Sequence, residues 1–187
     1  MTARSRGIFH GFLIDFSGTC RYIKPLSGFR LLNMKFNGQI AVNAAREAVF
    51  SRLRDIHFFA SCIDGVSGLS PSGENRFDAE LATKVAYMTF RFKVSVELTE
   101  VVSPERIAAR IEGAPTGLVG RLTAQSSTRL SDADGGGTLI DYEIETALTG
   151  KLGSIGQPVL KAKAKEMEKQ FANNLRAAFA GAEKEIS

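Results

Sequence analysis

A two-residue alternation of apolar and polar side chains persists, with turns, from residue 76 to 148, and one long amphipathic segment follows it. Nothing else in the chain restricts its fold as much. Alternation places one face of a strand in a core and the other in water. Residues 87–101 show it most plainly. Met88, Phe90, Phe92, Val94, Val96 and Leu98 face one way, and Tyr87, Thr89, Arg91, Lys93, Ser95 and Glu97 face the other. Further strands are predicted over 76–85, 106–112, 118–130 and 138–148. Pro104, a loop at 113–117 and a hairpin turn at 132–137 separate them. The last two strands send Leu122, Ala124, Ser126, Thr128 and Leu130, then Ile140, Tyr142, Ile144 and Leu148, toward the same core.

Upstream, residues 35–42 alternate with Phe36, Gly38, Ile40 and Val42 on one face. Asn43 occupies an N-cap position for a short helix over 44–55, whose apolar side is Val49, Phe50 and Leu53. A second short helix is predicted over 56–62. Gly65 and Gly68 end it and lead into short strand material around Val66 and Leu69, with a turn at 71–73. Downstream, a helix is predicted over 154–182. Gly156, Leu160, Ala164, Met167, Phe171, Leu175 and Phe179 form its stripe, and Lys161, Lys165, Glu168, Lys169 and Arg176 cover much of the other side. A sheet with one apolar face needs a cover, and this helix is the only element large enough to supply it. The expected fold is therefore α+β of the helix-grip kind. A curved antiparallel sheet of about six to seven strands wraps around a long C-terminal helix, with two short helices after the first strand.

Composition agrees with one soluble globular domain: 187 residues, 44% hydrophobic and 24% charged. No apolar run reaches the roughly 18 residues of a membrane span. The net charge of +4 invites a nucleic-acid reading, but its distribution argues against one. Residues 1–33 carry five bases against Asp15, and the rest of the chain holds 19 bases and 19 acids. A nucleic-acid binder concentrates basic excess on its folded part. Cys20 and Cys62 fit neither a disulfide framework nor a metal-ligand spacing, and point to a reducing compartment.

Residues 1–33 lack regular periodicity. His10, Gly11 and Asp15 interrupt the apolar residues of 8–16, which makes a poor secretory signal. Met34 opens the clean strand pattern. The expectation is a leader over 1–33, irregular or not native, and a functional domain over 34–187.

The segments Met34-Lys35-Phe36-Asn37-Gly38, Ala44-Ala45-Arg46-Glu47-Ala48-Val49-Phe50, Asp55, Cys62-Ile63-Asp64-Gly65-Val66 and Gly150-Lys151-Leu152-Gly153-Ser154-Ile155-Gly156 occur in that order. On these residues the chain resembles the carbon monoxide dehydrogenase G-subunit family. That family lies within the helix-grip superfamily of lipid-transfer (START-type) and polyketide-cyclase-like proteins. The resemblance covers essentially all of 34–187. It implies an accessory protein of a carbon monoxide dehydrogenase-type molybdenum hydroxylase, one that recruits the enzyme to the membrane or links it to the quinone pool through an apolar cavity. Two departures stand out. The family's turn usually has Pro where this chain has Asp64. Many members carry a long C-terminal extension suited to membrane attachment, whereas this sequence runs to Ser187. The expectation is a cytoplasmic protein with at most weak peripheral contact at the inner membrane face, supplied by the basic leader.

The residues offer little catalytic chemistry. His10 lies in the leader, and His57 has no partner in a recognisable triad or metal cluster. Asp141, Glu143 and Glu145 alternate on the face opposite Ile140, Tyr142 and Ile144. That places them in solvent, with Arg121 and Arg129 available to pair across the hairpin. Gly150, Gly153 and Gly156 match no phosphate-binding spacing. They read as a sharp strand-to-helix exit with close packing at Gly156, and as a gate loop. Nothing cationic beside Cys62 in sequence lowers its pKa.

The apolar stripes can be plain core or can line a cavity for a quinone- or lipid-like ligand. The candidate lining comprises Phe58 and Cys62 from the second short helix, and Met88, Phe90, Phe92 and Val94 from the longest strand. Leu122, Ala124, Tyr142, Ile144 and Leu148 come from the last two strands, and Ile155, Leu160, Ala164, Met167 and Phe171 from the final helix and its approach. The expected function is binding and delivery of an apolar ligand without catalysis, cofactor or metal, in partnership with the hydroxylase. Two alternatives stay open: a cyclase- or hydrolase-like enzyme of the same fold, and an assembly factor with a filled core.

Overall fold

The computed structural model describes residues 31–182 and the backbone of two short strands before them. Those strands, β1 (Phe12–Ile14) and β2 (Cys20–Tyr22), pair antiparallel with each other. The other residues of 1–30, with His10 among them, lie outside the described residues.

Seven antiparallel strands form the main sheet in the order β3-β9-β8-β7-β6-β5-β4. They are β3 (Leu32–Val42), β4 (Val66–Gly73), β5 (Arg76–Val85), β6 (Met88–Val102), β7 (Arg106–Pro115), β8 (Gly120–Ala133) and β9 (Gly137–Gly150). From β4 to β9 each strand pairs with the next in sequence, and β3 closes the order beside β9. Helices α1 (Arg46–Arg54) and α2 (Ile56–Ser61) follow β3. After β9 a 3₁₀ turn over Lys151–Ser154 leads into α3 (Gln157–Ala182). The fold is the helix-grip architecture expected from the alternation.

The differences from expectation have local causes. Pairing of β3 begins at Leu32, opposite Leu148, two residues before Met34. Asn43 is not the cap of α1. The helix starts at Arg46 behind Ala45, which makes no side-chain cap. Thr138 holds the preceding backbone instead, donating its hydroxyl to the Ala44 carbonyl at 2.7 Å. The effective cap is Asp55, whose carboxylate accepts from the backbone N–H groups of His57 and Phe58 at the start of α2. The turn predicted at 71–73 falls one step later, around Asn75 with its φ of 60°. Pro71 sits inside β4, and an edge strand tolerates it because no neighbour needs its missing N–H. The loop predicted at 113–117 is also displaced. Pro115 still pairs with Phe92, and Leu118 and Val119 form the loop rather than the next strand.

Candidate functional site

The inner face of the sheet is packed densely at one end and differently at the other. At the closed end, Val49, Phe50 and Leu53 of α1 meet Ile40, Ile107, Leu130 and Ile140 of the sheet and Leu175 of α3. Phe58, Cys62 and Phe171 join this cluster. The Phe59 and Phe171 rings lie 5.2 Å apart, and Phe58 meets Phe179 edge-on at 6.1 Å. Full burial of such a side chain stabilises by about 1.5–3 kcal/mol; these rings are half-buried and contribute part of that in plugging the end. Asn174 ties α2 to α3 by donating to the Cys62 carbonyl at 3.1 Å. Arg176 donates to the Ala41 carbonyl at 3.0 Å.

A second cluster lies at the other end. Met34, Val85, Phe90, Phe92, Leu148 and Leu152 are buried there, with Val94, Leu122, Ile155 and Leu160 against them. Met88, expected on the same lining, is 41% exposed. It shares the parity of Phe90 but stands at the tip of the β5–β6 hairpin, beyond this cluster.

Between the clusters the inward side chains are only half-buried. Val96, Ile111 and Ile144 come from the sheet, Ala164 and Met167 from α3, and Tyr142, which packs against the closed-end cluster, borders them. The α3 backbone packs against β3 and β5, near the two margins of the sheet. Ala124 is buried in the middle of the inner face but belongs to neither cluster. Met167 also borders a cleft of about 180 Å³ with Ile63, Asp64 and Thr83.

One polar pair lies in this interval. The Tyr142 hydroxyl hydrogen-bonds to the Glu168 carboxylate. Burial first, and then this carboxylate, push the phenol above its ordinary value near 10. It therefore keeps its proton at neutral pH and acts as a donor rather than a base. Gly38 makes room for the pair. A Cβ there would collide with the Tyr142 hydroxyl and lie 2.7 Å from its Cζ and 3.0 Å from Glu168 Oε1. Glu168, expected on the outer side of α3, thus turns toward the sheet. Burial likewise pushes the Cys62 thiol up, opposed by a hydrogen bond with Ser61, which suits an inert core thiol.

The outer face carries the charged residues. Glu143 and Glu145 pair with Lys35 at 2.7 and 3.2 Å, and Asp141 accepts from Gln39. Their partners are on β3, not the Arg121 and Arg129 of β8 that the hairpin suggested. The two carboxylates raise the Lys35 pKa through their hydrogen bonds. A groove of about 720 Å³ lies between Lys35, Arg110, Glu112, Gln125 and Glu145 on this face. Its charged, open lining is unsuited to an apolar molecule. Among the described residues no group of three or more His, Cys, Asp or Glu could hold a metal ion.

The exit from β9 needs glycine for two different reasons. At Gly150 φ is 67°, and a Cβ would strike the Val119 carbonyl and lie 2.8 Å from Gly120 Cα. At Gly156 φ is 96° with nothing near a Cβ position, so backbone conformation and not close packing demands glycine there. Gly153 is buried within the 3₁₀ turn.

Residues 38–180 match the family model of the carbon monoxide dehydrogenase G subunit (CoxG). The chain belongs to this family. Among solved structures, the CoxG-family chain is similar to a conserved protein from Geobacillus kaustophilus, at 25% identity and a TM-score of 0.73 over 81% of this chain and 97% of that one. It is also similar to a START superfamily protein from Mycobacterium smegmatis, at 12% identity and a TM-score of 0.60 over 79% and 98%. The Mll3558 protein from Rhizobium loti shares the fold at 15% identity and a TM-score of 0.55 over 80% and 98%. No curated protein matches the chain. Among the described residues, no helix of this CoxG-family chain is long and apolar enough to cross a membrane.

Proposed function

We propose that this chain is a non-catalytic carrier of an apolar, quinone- or lipid-like molecule, held between the inner face of the sheet and α3. It serves a carbon monoxide dehydrogenase-type molybdenum hydroxylase by delivering its electron acceptor or assisting its recruitment to a membrane. Membership of the CoxG family supports the partnership. The observation that carries the ligand reading is the half-buried apolar interval beneath a helix that packs near the margins of the sheet. The Tyr142–Glu168 pair supplies the polar group of the lining; the phenol O–H goes to the carboxylate, and its oxygen still accepts. A few placed polar groups in an apolar lining are typical of such sites. The 150–156 segment is the gate in this reading. A phenol that stays protonated favours holding a ligand over the acid–base work of a cyclase or hydrolase.

The test is uptake of a short-chain benzoquinone by the purified full chain. Ala164→Phe fills the interval and should lower uptake at least tenfold while thermal unfolding stays cooperative. Ala178→Phe, on the exposed side of α3, should leave uptake unchanged. A folded wild-type chain that takes up no quinone and releases no apolar molecule on solvent extraction would refute the carrier reading and leave an assembly factor with a filled core.

A further inference from the structure

Large apolar side chains are exposed at one end of the molecule. Tyr87, 86% exposed, and Met88 form the tip of the β5–β6 hairpin. Leu118 and Val119, the latter 68% exposed, form the β7–β8 loop. Val159 stands in the first turn of α3. These three segments are neighbours. The Thr116 N–H donates to the Arg91 carbonyl at 2.8 Å, and the Lys151 N–H donates to the Val119 carbonyl at 3.0 Å. Beneath them, Val85 and Phe90 share a cluster with Leu152 and Leu160.

The charge around this end is mainly basic, with Asp64 beside Lys84 and Glu112 beside Arg121 as the acids near it. No Asp or Glu occurs between Glu80 and Glu97, between Glu112 and Asp132, or between Glu145 and Glu166. Lys84, Arg91, Arg121, Lys151 and Lys161 flank the tips within those stretches, and all five are exposed. Among the described residues only Arg121 of these meets a carboxylate, Glu112 at 3.9 Å. The equality of acids and bases over 34–187 therefore hides an asymmetry: bases outnumber acids at this end, where Asp64 and Glu112 are the neighbouring carboxylates. The opposite end makes the contrast. Its β6–β7 hairpin also exposes Val101 and Val102, but between Glu100 and Glu105.

We infer that this end is a docking surface for an anionic lipid bilayer. Aliphatic and aromatic tips on three separate loops enter the interface, and the surrounding Lys and Arg side chains meet lipid phosphates and carboxylates. Tyrosine suits the headgroup level, being apolar with one polar end. Protruding tips within a basic collar fit a soft, anionic layer better than the flat apolar core and polar rim of a protein interface. This deepens the carrier reading by turning the proposed gate toward the bilayer. It also assigns the contact to the folded domain rather than to the basic residues of 1–33.

The chain contains no Trp, so Tyr87→Trp places a single reporter at the tip. Added to vesicles of phosphatidylcholine with 30% phosphatidylserine, this full-length variant should show a blue shift, and brominated lipid should quench it. Val102→Trp, at the far hairpin, should show neither. In co-sedimentation, Tyr87→Ser/Val119→Ser and Lys84→Glu/Lys151→Glu should each weaken binding at least fivefold. Quinone uptake is read on the same proteins without vesicles, so loss of the carrier reading and loss of the docking surface are separate outcomes. A chain that does not pellet overturns the inference and leaves the patch to a protein partner. A chain that pellets while the emission of the Tyr87→Trp variant stays unchanged, or with the tip variants binding normally, also overturns it and assigns the contact to another surface.

Discussion

Replacing Gly38 by Ala sets two effects of known sign against each other. In a strand interior, Ala is favoured over Gly by about 0.5–1 kcal/mol because it loses less backbone freedom on folding. Against this, the new Cβ meets the Tyr142 ring, with Cζ 2.7 Å away, and Glu168 Oε1 at 3.0 Å. The ring is on the neighbouring strand, since Gly38 and Tyr142 are directly opposite in the β3–β9 register. Overpacking of this kind costs about 1–3 kcal/mol, so Gly38→Ala should destabilise the wild-type chain by a net of about 0.5–2 kcal/mol. In a Tyr142→Ala background only the Glu168 carboxylate, the end of a flexible side chain, remains in the way, and the same substitution should become neutral or stabilising by a few tenths of a kcal/mol. The difference is a coupling of about 1–3 kcal/mol, within the range for residues in contact. Urea unfolding of the four proteins of the cycle, followed by far-UV circular dichroism, measures it, provided the denaturant slopes agree. A Gly38→Ala effect that is equal in both backgrounds, or stabilising in the wild type, would refute the packing argument.

Thr138 is fully buried, and its hydroxyl satisfies the Ala44 carbonyl. Thr138→Val should therefore cost about 1–2 kcal/mol in urea unfolding despite its near-identical shape. Asp55→Ala should cost about 1 kcal/mol through loss of the α2 cap, whereas Asn43→Ala should change the midpoint little. The Tyr142 phenol is held above its ordinary value in the fold, so its contribution is intact below pH 10 and declines as pH rises beyond that, where the unfolded chain ionises first. Tyr142→Phe should show a shallower loss of stability above pH 10, and an identical pH profile would contradict the raised value. In a Cys20→Ser chain, the Cys62 thiol should react with a disulfide reagent only on unfolding, because it is 2% exposed in the fold.

The parts of this fold legible in sequence are those set by periodicity. The alternation of 87–101 and the stripe from Leu160 to Phe179 define the sheet, its faces and its covering helix, because burial on one side imposes those periods. The split of the inner face does not follow, since Phe58, Phe90 and Ile144 are equally apolar while only the structure distributes them among plug, mouth and interval. Glu168 reads as a solvent residue on its own helix; its partner is 26 positions away in sequence on another element. The basic end is invisible for a related reason. A net charge sums along the chain, whereas three hairpins and turns bring acid-free stretches together in space. Asp55 is available as a cap signal, being followed by an apolar helix start, but Asn43 offers the same chemistry earlier.

The two halves of α3 are held unequally. Asn174 and Arg176 bond its second half to the Cys62 and Ala41 carbonyls, and Leu175 is fully buried there. Its first turn follows Gly156, whose backbone lies in a region open to few other residues. Seen mechanically, the helix is a lever with its fulcrum near Asn174. From there to Gln157 the arm is roughly 25 Å at 1.5 Å per residue, so a tilt of about 10° moves the free end by about 4 Å. That travel is close to the thickness of one aromatic ring. In the carrier reading proposed above, a tilt of that size would admit a flat molecule beneath Leu160 without movement of the sheet.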